Sequence, residues 1–123
     1  MFKIVVFILL VLSRLALADW VDYADSIYGD KHWYNSEKVE RMKGEIFIWE
    51  RTRYPNAFGY KSSLEYKKID CINNTIQVIE GIFYSDDEWS IEVASLEKPR
   101  IEEPIELYSI DDRLKDALCE NNS

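Results

Sequence analysis

Apolar and polar positions alternate along most of the chain and then recur every four residues near its end, a change of period that separates strands from one helix. Trp20, Val21 and Tyr23 around Asp22 predict a short strand over Asp19 to Ala24. Ser26 to Lys31, with Gly29-Asp30 inside it, reads as a turn. His32-Trp33-Tyr34 restart a strand, Asn35-Ser36 interrupt it, and Val39 to Met42 continue it. Glu45 to Arg51, opened by Gly44, holds an aromatic and β-branched run, as expected of a strand buried on much of both faces. Thr52 to Tyr60, with Pro55-Asn56 and Gly59, is a loop.

Leu64 to Cys71 alternates Leu64, Tyr66 and Lys68 against Glu65, Lys67 and Ile69. After a turn at Cys71 to Asn74, Thr75 to Tyr84 sets Ile76, Val78 and Glu80 against Gln77, Ile79, Gly81 and Phe83, which closes a hairpin. Gly81 marks a bulge or a close approach. Glu88 to Leu96 gives a further strand through Trp89, Ile91 and Val93. Lys98 to Pro104 is a proline-punctuated acidic connector, and Ile105 to Tyr108 adds a short edge strand.

The end of the chain is helical. Ser109 with Asp112 three residues on is an acid variant of the capping box, and Asp111 and Asp112 lie at the positive end of the helix dipole. Ile110, Leu114 and Leu118, with Ala117 beside them, give one face to bury, and Cys119 lies on the flank of the last turn. A sheet of this size needs a cover on one apolar face, and this helix is the candidate. The expected fold class is therefore α+β: about six antiparallel strands with one C-terminal helix packed on one face.

The first eighteen residues are set apart from this pattern. Lys3, the apolar run Ile4 to Leu12 and Ala16-Leu17-Ala18 have the layout of a cleaved secretory signal, and nine apolar residues are too few to span a bilayer. The expected organisation is a signal peptide over 1–18 and one domain over 19–123, with no membrane span after cleavage. No cysteine lies near Ala18 to carry a lipid anchor. Cleavage removes Lys3 and Arg14 and no acid, so the formal charge moves from −8 to −10. Such a chain repels nucleic acid and anionic bilayers, which are bound through net basic faces.

The two cysteines, Cys71 and Cys119, would sit in an oxidising compartment, and a disulfide is the natural reading. Two thiols without clustered histidines make no metal site, and no C-x-x-C suggests redox catalysis. The bridge would pin the helix terminus to the strand ending at Cys71.

The order of marks along the chain is informative: Trp20, Trp33-Tyr34, Ile46-Phe47-Ile48-Trp49, Tyr60 and Ser63, Ile69-Asp70-Cys71, Trp89, then Leu114 and Leu118-Cys119. It resembles the bacterial surface-adhesin protein E family. The resemblance implies a small antiparallel sheet with a C-terminal helix held on its concave face by the Cys71–Cys119 bridge. It further implies a non-enzymatic cell-surface adhesin that binds host matrix and serum proteins such as laminin, vitronectin and plasminogen, and that forms homodimers. The family's adhesin is lipid-anchored, whereas this chain lacks the cysteine for it. A periplasmic, surface or secreted location is thus expected, with a periplasmic accessory or inhibitor protein as the alternative function.

No catalytic, cofactor or metal constellation is visible in the sequence. His32, the lone histidine, reads as a strand-edge residue, and Glu102-Glu103 and Asp86-Asp87-Glu88 lack the ligand spacing of a calcium loop. Asn73-Asn74-Thr75 and Asn121-Asn122-Ser123 match a glycosylation pattern that carries no meaning in a bacterial protein. A small hydrolase would need two carboxylates converging with split acidities. Some of Trp20, Trp33, Trp49 and Trp89 are expected in the core beneath the helix. The stretch Glu50 to Lys68 carries five cations against two acids, a local +3. Arg51, Arg53, Tyr54, Tyr60, Lys61, Tyr66, Lys67 and Lys68 within it form a candidate docking surface for an acidic protein partner, since Arg and Tyr are favoured contact residues.

Overall fold

In a computed structural model, which describes residues 19–119, eight strands form one antiparallel sheet and a single α-helix follows them. The expected signal segment and the Asn121 pattern lie outside the described residues. The strands are β1 (Trp20–Asp25), β2 (Lys31–Asn35), β3 (Glu40–Met42), β4 (Glu45–Arg53), β5 (Ser62–Asp70), β6 (Thr75–Tyr84), β7 (Glu92–Ser95) and β8 (Glu103–Pro104). The helix α1 spans Ile110–Cys119. Six strands run side by side in the order β1-β2-β4-β5-β6-β7, while short β3 pairs with β4 and β8 with β6.

The long central strands β4, β5 and β6 come from the most strongly alternating stretches of sequence. Ile46 faces Ile69 across β4 and β5, and Ile69 faces Ile76 across β5 and β6. These isoleucines, with Ile48, Ile105, Leu114 and Leu118, form the buried cluster beneath the helix. Cys71 and Cys119 are joined with Cα atoms 5.8 Å apart, so the helix end is tied to the end of β5. The Arg41 guanidinium donates to the Leu118 carbonyl at 2.7 Å and satisfies one of the acceptors left open at that terminus.

Several expectations change. Val39 to Met42 does not continue β2: Ser36–Lys38 forms a 3-10 turn, and β3 then folds back on β4. Lys43 and Gly44 link them with φ of 49° and 83°, the backbone of a tight two-residue hairpin. Trp89 is not in a strand, since its φ of 53° places it in a turn, and β7 keeps only Glu92–Ser95. The Asp86 carboxylate accepts from the backbone N–H groups of Glu88, Ser90 and Ile91, so these donors leave the ladder. The last edge strand is Glu103–Pro104, not Ile105 to Tyr108, because the Ile105 side chain turns into the core and its N–H bonds Asn74.

At the helix start, Ser109 Oγ accepts from the Asp112 N–H and the Asp112 carboxylate accepts from the Tyr108 N–H. Ala117 is exposed, so the buried stripe is narrower than predicted. The bulge in β6 falls at Ile79, and Gly81 is the close approach: a β-carbon there would lie 3.1 Å from Leu96. None of the four tryptophans belongs to the cluster beneath the helix.

Candidate functional site

The phase of Ile46 and Ile48 carries Glu50 and Thr52 onto the inner, helix-covered face, and that of Ile69 carries Lys67, Glu65 and Ser63 there too. All of these polar residues are buried. Glu50 is their centre. Its Oε1 lies 2.6 Å from Lys67 Nζ, a charge contact whose direction is not that of a hydrogen bond. Its Oε2 accepts from the Tyr23 hydroxyl and stands 3.5 Å from His32 Nδ1. Lys67 also reaches Asp111, in the first turn of α1, at 3.4 Å.

Burial alone would raise the Glu50 carboxyl, but the Lys67 ammonium and His32 outweigh it and hold the group at about 2. Burial likewise opposes the Lys67 charge, and the carboxylates of Glu50, Asp111 and Glu65 overturn that, raising its pKa. Tyr23 is pushed up by burial and by Glu50, so it stays a neutral donor. Glu65, directly opposite Glu50 in register, is raised chiefly by burial.

Buried carboxylates with acidities pushed apart are what a hydrolase would need. Here both Glu50 oxygens are already taken by Lys67, Tyr23 and His32, and the carboxylate cannot face a substrate. His32 is not at an edge, since β2 lies between β1 and β4. Its Nδ1 meets both Thr52 Oγ1 at 3.1 Å and Glu50 Oε2 at 3.5 Å. A relay needs nucleophile and carboxylate on opposite ring nitrogens, and this arrangement puts them on one.

The structure separates the eight basic and aromatic candidates. Lys67 is buried in the ion pair with Glu50 and is no part of a surface. Lys68 lies on the outer face between Glu45 at 3.3 Å and Glu102 at 2.8 Å. Tyr66 packs on Trp49 and Phe47. The Arg51 guanidinium is held over the rings of Trp89 and Trp20 at 4.4 and 4.6 Å, and Arg53 lies 4.9 Å from Trp89 and pairs with Glu88 at 3.3 Å. The outer face is thus tiled by indoles and arginines whose charges are largely engaged.

The other three candidates gather at one end of the sheet. Tyr54 bonds Ser63 at 2.8 Å and is pushed up to about 12 by burial, while Tyr60 packs on Tyr54 and Phe83. Lys61 donates to the Ala57 carbonyl at 2.7 Å and closes the loop between β4 and β5. That loop touches the β1–β2 turn, where Asn56 donates to the Tyr28 carbonyl at 2.8 Å. Phe58 is 100% exposed on the loop, and Ile27 and Tyr28 are exposed on the turn. Beside them runs a groove of about 530 Å3 lined by Lys31, Arg53 and Lys61 across from Asp86 and Asp87. These apolar tips sit in segments read from sequence only as turn and loop; exposed Phe58 next to Gly59 was the available signal.

A sequence profile of the family described as surface-adhesin protein E matches residues 20–120, nearly the whole described chain. No curated protein and no solved structure matches it. Among the described residues, no helix is long and apolar enough to cross a membrane.

Proposed function

The chain belongs to the surface-adhesin protein E family, and from that premise we propose that it is an exported, non-enzymatic protein of the cell envelope that docks a protein partner at the loop end of its sheet. The observation that carries this reading is the cluster of exposed Ile27, Tyr28 and Phe58 beside the groove holding Lys31, Arg53 and Lys61. Apolar side chains at loop tips lose water only against a partner. Lys31 is paired with Asp22 and Asp25 and Arg53 with Glu88, so Lys61, whose partners are backbone carbonyls, is the cation left to meet an acid on that partner. A mainly apolar segment carrying one acid for Lys61 complements this end. The family makes a host matrix or serum protein the first partner class to test, and a periplasmic envelope protein the second. Cleavage after Ala18 would deliver the chain there.

The test is binding of immobilised laminin, vitronectin and plasminogen, and of a periplasmic extract, by the wild type, Phe58→Ala with Tyr28→Ala, and Lys61→Glu. The apolar pair should weaken capture at least tenfold, since buried aromatic anchors carry about 2 kcal/mol or more. Lys61→Glu should weaken it in a salt-dependent way. Unchanged capture by all variants would remove this end from the interface. Substituting Lys67 is unsuitable for the purpose, because it breaks the buried pair with Glu50.

A further inference from the structure

A second concavity, on the inner side, is independent of the docking end. It is a recess of about 230 Å3 between β5, β6, the connector before β8 and the first turn of α1. Ile76 and Val78 form an apolar wall, Glu65, Lys67 and Asp111 face it from the sheet and helix, and Arg100 and Glu103 stand at its exposed rim.

Its charges do not balance internally. Lys67 is shared between Glu50, at 2.6 Å, and Asp111, to whose Oδ1 it donates at 3.4 Å, which leaves the second oxygen of Asp111 without a partner among the described residues. Glu65 is only 9% exposed, lines the recess, and has neither a hydrogen bond nor an ion pair with any described residue. Its oxygens open into the recess rather than being sealed from it, and a partly desolvated carboxylate gains from meeting a cation or a proton there. Arg100 is near enough to favour its charge but makes no contact with it among the described residues. No group of three or more His, Cys, Asp or Glu side chains among the described residues is arranged for a metal ion. The recess is also larger than a bare ion, and Ile76, Val78 and Ile101 give its mainly polar lining one aliphatic side.

We propose that this recess binds an alkylammonium or alkylguanidinium group, with the charged head on Glu65 and Asp111 and the methylene stem along Ile76 and Val78. A free small amine and the lysine or arginine side chain of a partner protein present the same chemistry.

Titration of the disulfide-intact protein with n-butylammonium, n-butylguanidinium and a lysine-containing acidic-free peptide, followed by NMR shifts of β5 and β6 amides, tests it. Saturable shifts around Glu65, Val78 and Asp111 are expected, with butanol and butyrate inert. Saturation by the free amine assigns a small-molecule ligand; response to the peptide alone assigns a partner side chain. Glu65→Gln should weaken binding at least tenfold, roughly the loss of one charge-assisted bond, while Glu80→Gln on the exposed part of β6 should not. Should Glu65→Gln fail to fold, Asp111→Asn gives the same comparison, and wild-type binding should weaken on acidification as Glu65 takes up a proton. Absence of saturable shifts with every cation, equal binding by Glu65→Gln, or preference for butyrate would overturn the proposal.

Discussion

Glu50 and Lys67 show what a single residue decides here. The pair is buried on the inner face, with Tyr23, His32 and Asp111 completing its contacts. Lys67→Met leaves Glu50 charged and without its main partner, and should lower stability by about 3–5 kcal/mol in denaturant unfolding. Replacing Glu50 and Lys67 together by Leu and Met should recover most of that, since an apolar pair needs no compensation. The acids also set opposite pH responses. The Glu50 carboxyl is lowered in the fold from its ordinary 4.5 to about 2. Its stabilisation is present above pH 4.5 and is lost as pH falls toward 2. Glu65 is raised, so its contribution is present below its ordinary value and is lost as pH rises through its folded value. Glu65→Gln is therefore expected to raise the thermal midpoint at pH 7 and to match the wild type in acid. A thermal-melt series over pH checks both signs.

At the scale of elements, turns carry more of the design than their polar sequences suggest. The β3–β4 hairpin depends on Gly44, whose φ of 83° is open to glycine and whose added β-carbon would lie 2.5 Å from Ile72 Cδ1. Gly44→Ala should cost about 1–2 kcal/mol from the backbone alone, read as a drop in unfolding midpoint. The loop after β6 is organised by Asp86, which the sequence offered only as one of three adjacent acids. Hydrogen bonds from Ser90 and the Ile91 amide, with others from the same loop, hold its carboxyl at about 2. The loop so formed sets the Trp89 indole to donate to the Ser63 carbonyl at 2.9 Å and to cover Arg51. An acidic run thus acts as a loop clasp rather than as a metal site or a free charged patch.

For the whole molecule, the Cys71–Cys119 bridge is the long-range tie, closing a separation of 48 residues between the sheet and its only described helix. Reduction should lower stability by about 4 kcal/mol on the chain-entropy model and release α1 first, seen as lost helical dichroism and exposure of Leu114 and Leu118. A protein whose helix stays docked in reductant would refute this ordering. Much of that architecture was legible beforehand. Alternation fixed β5 and β6 and an aromatic, β-branched run fixed β4, each to within a few residues; period-four spacing fixed α1, and an even pair of cysteines fixed the bridge, because each depends on local geometry or on simple counting. The family, too, was readable from the order of aromatic and apolar marks. What alternation could not say is which of two faces lies under the helix. That choice follows from pairing register and helix docking together. It placed the tryptophans outside with the arginines and drew Glu50, Glu65 and Lys67 inside. It also divided one basic stretch of sequence among a buried ion pair, an aromatic outer face and an exposed loop end, because neighbours along a strand point to opposite sides of the sheet.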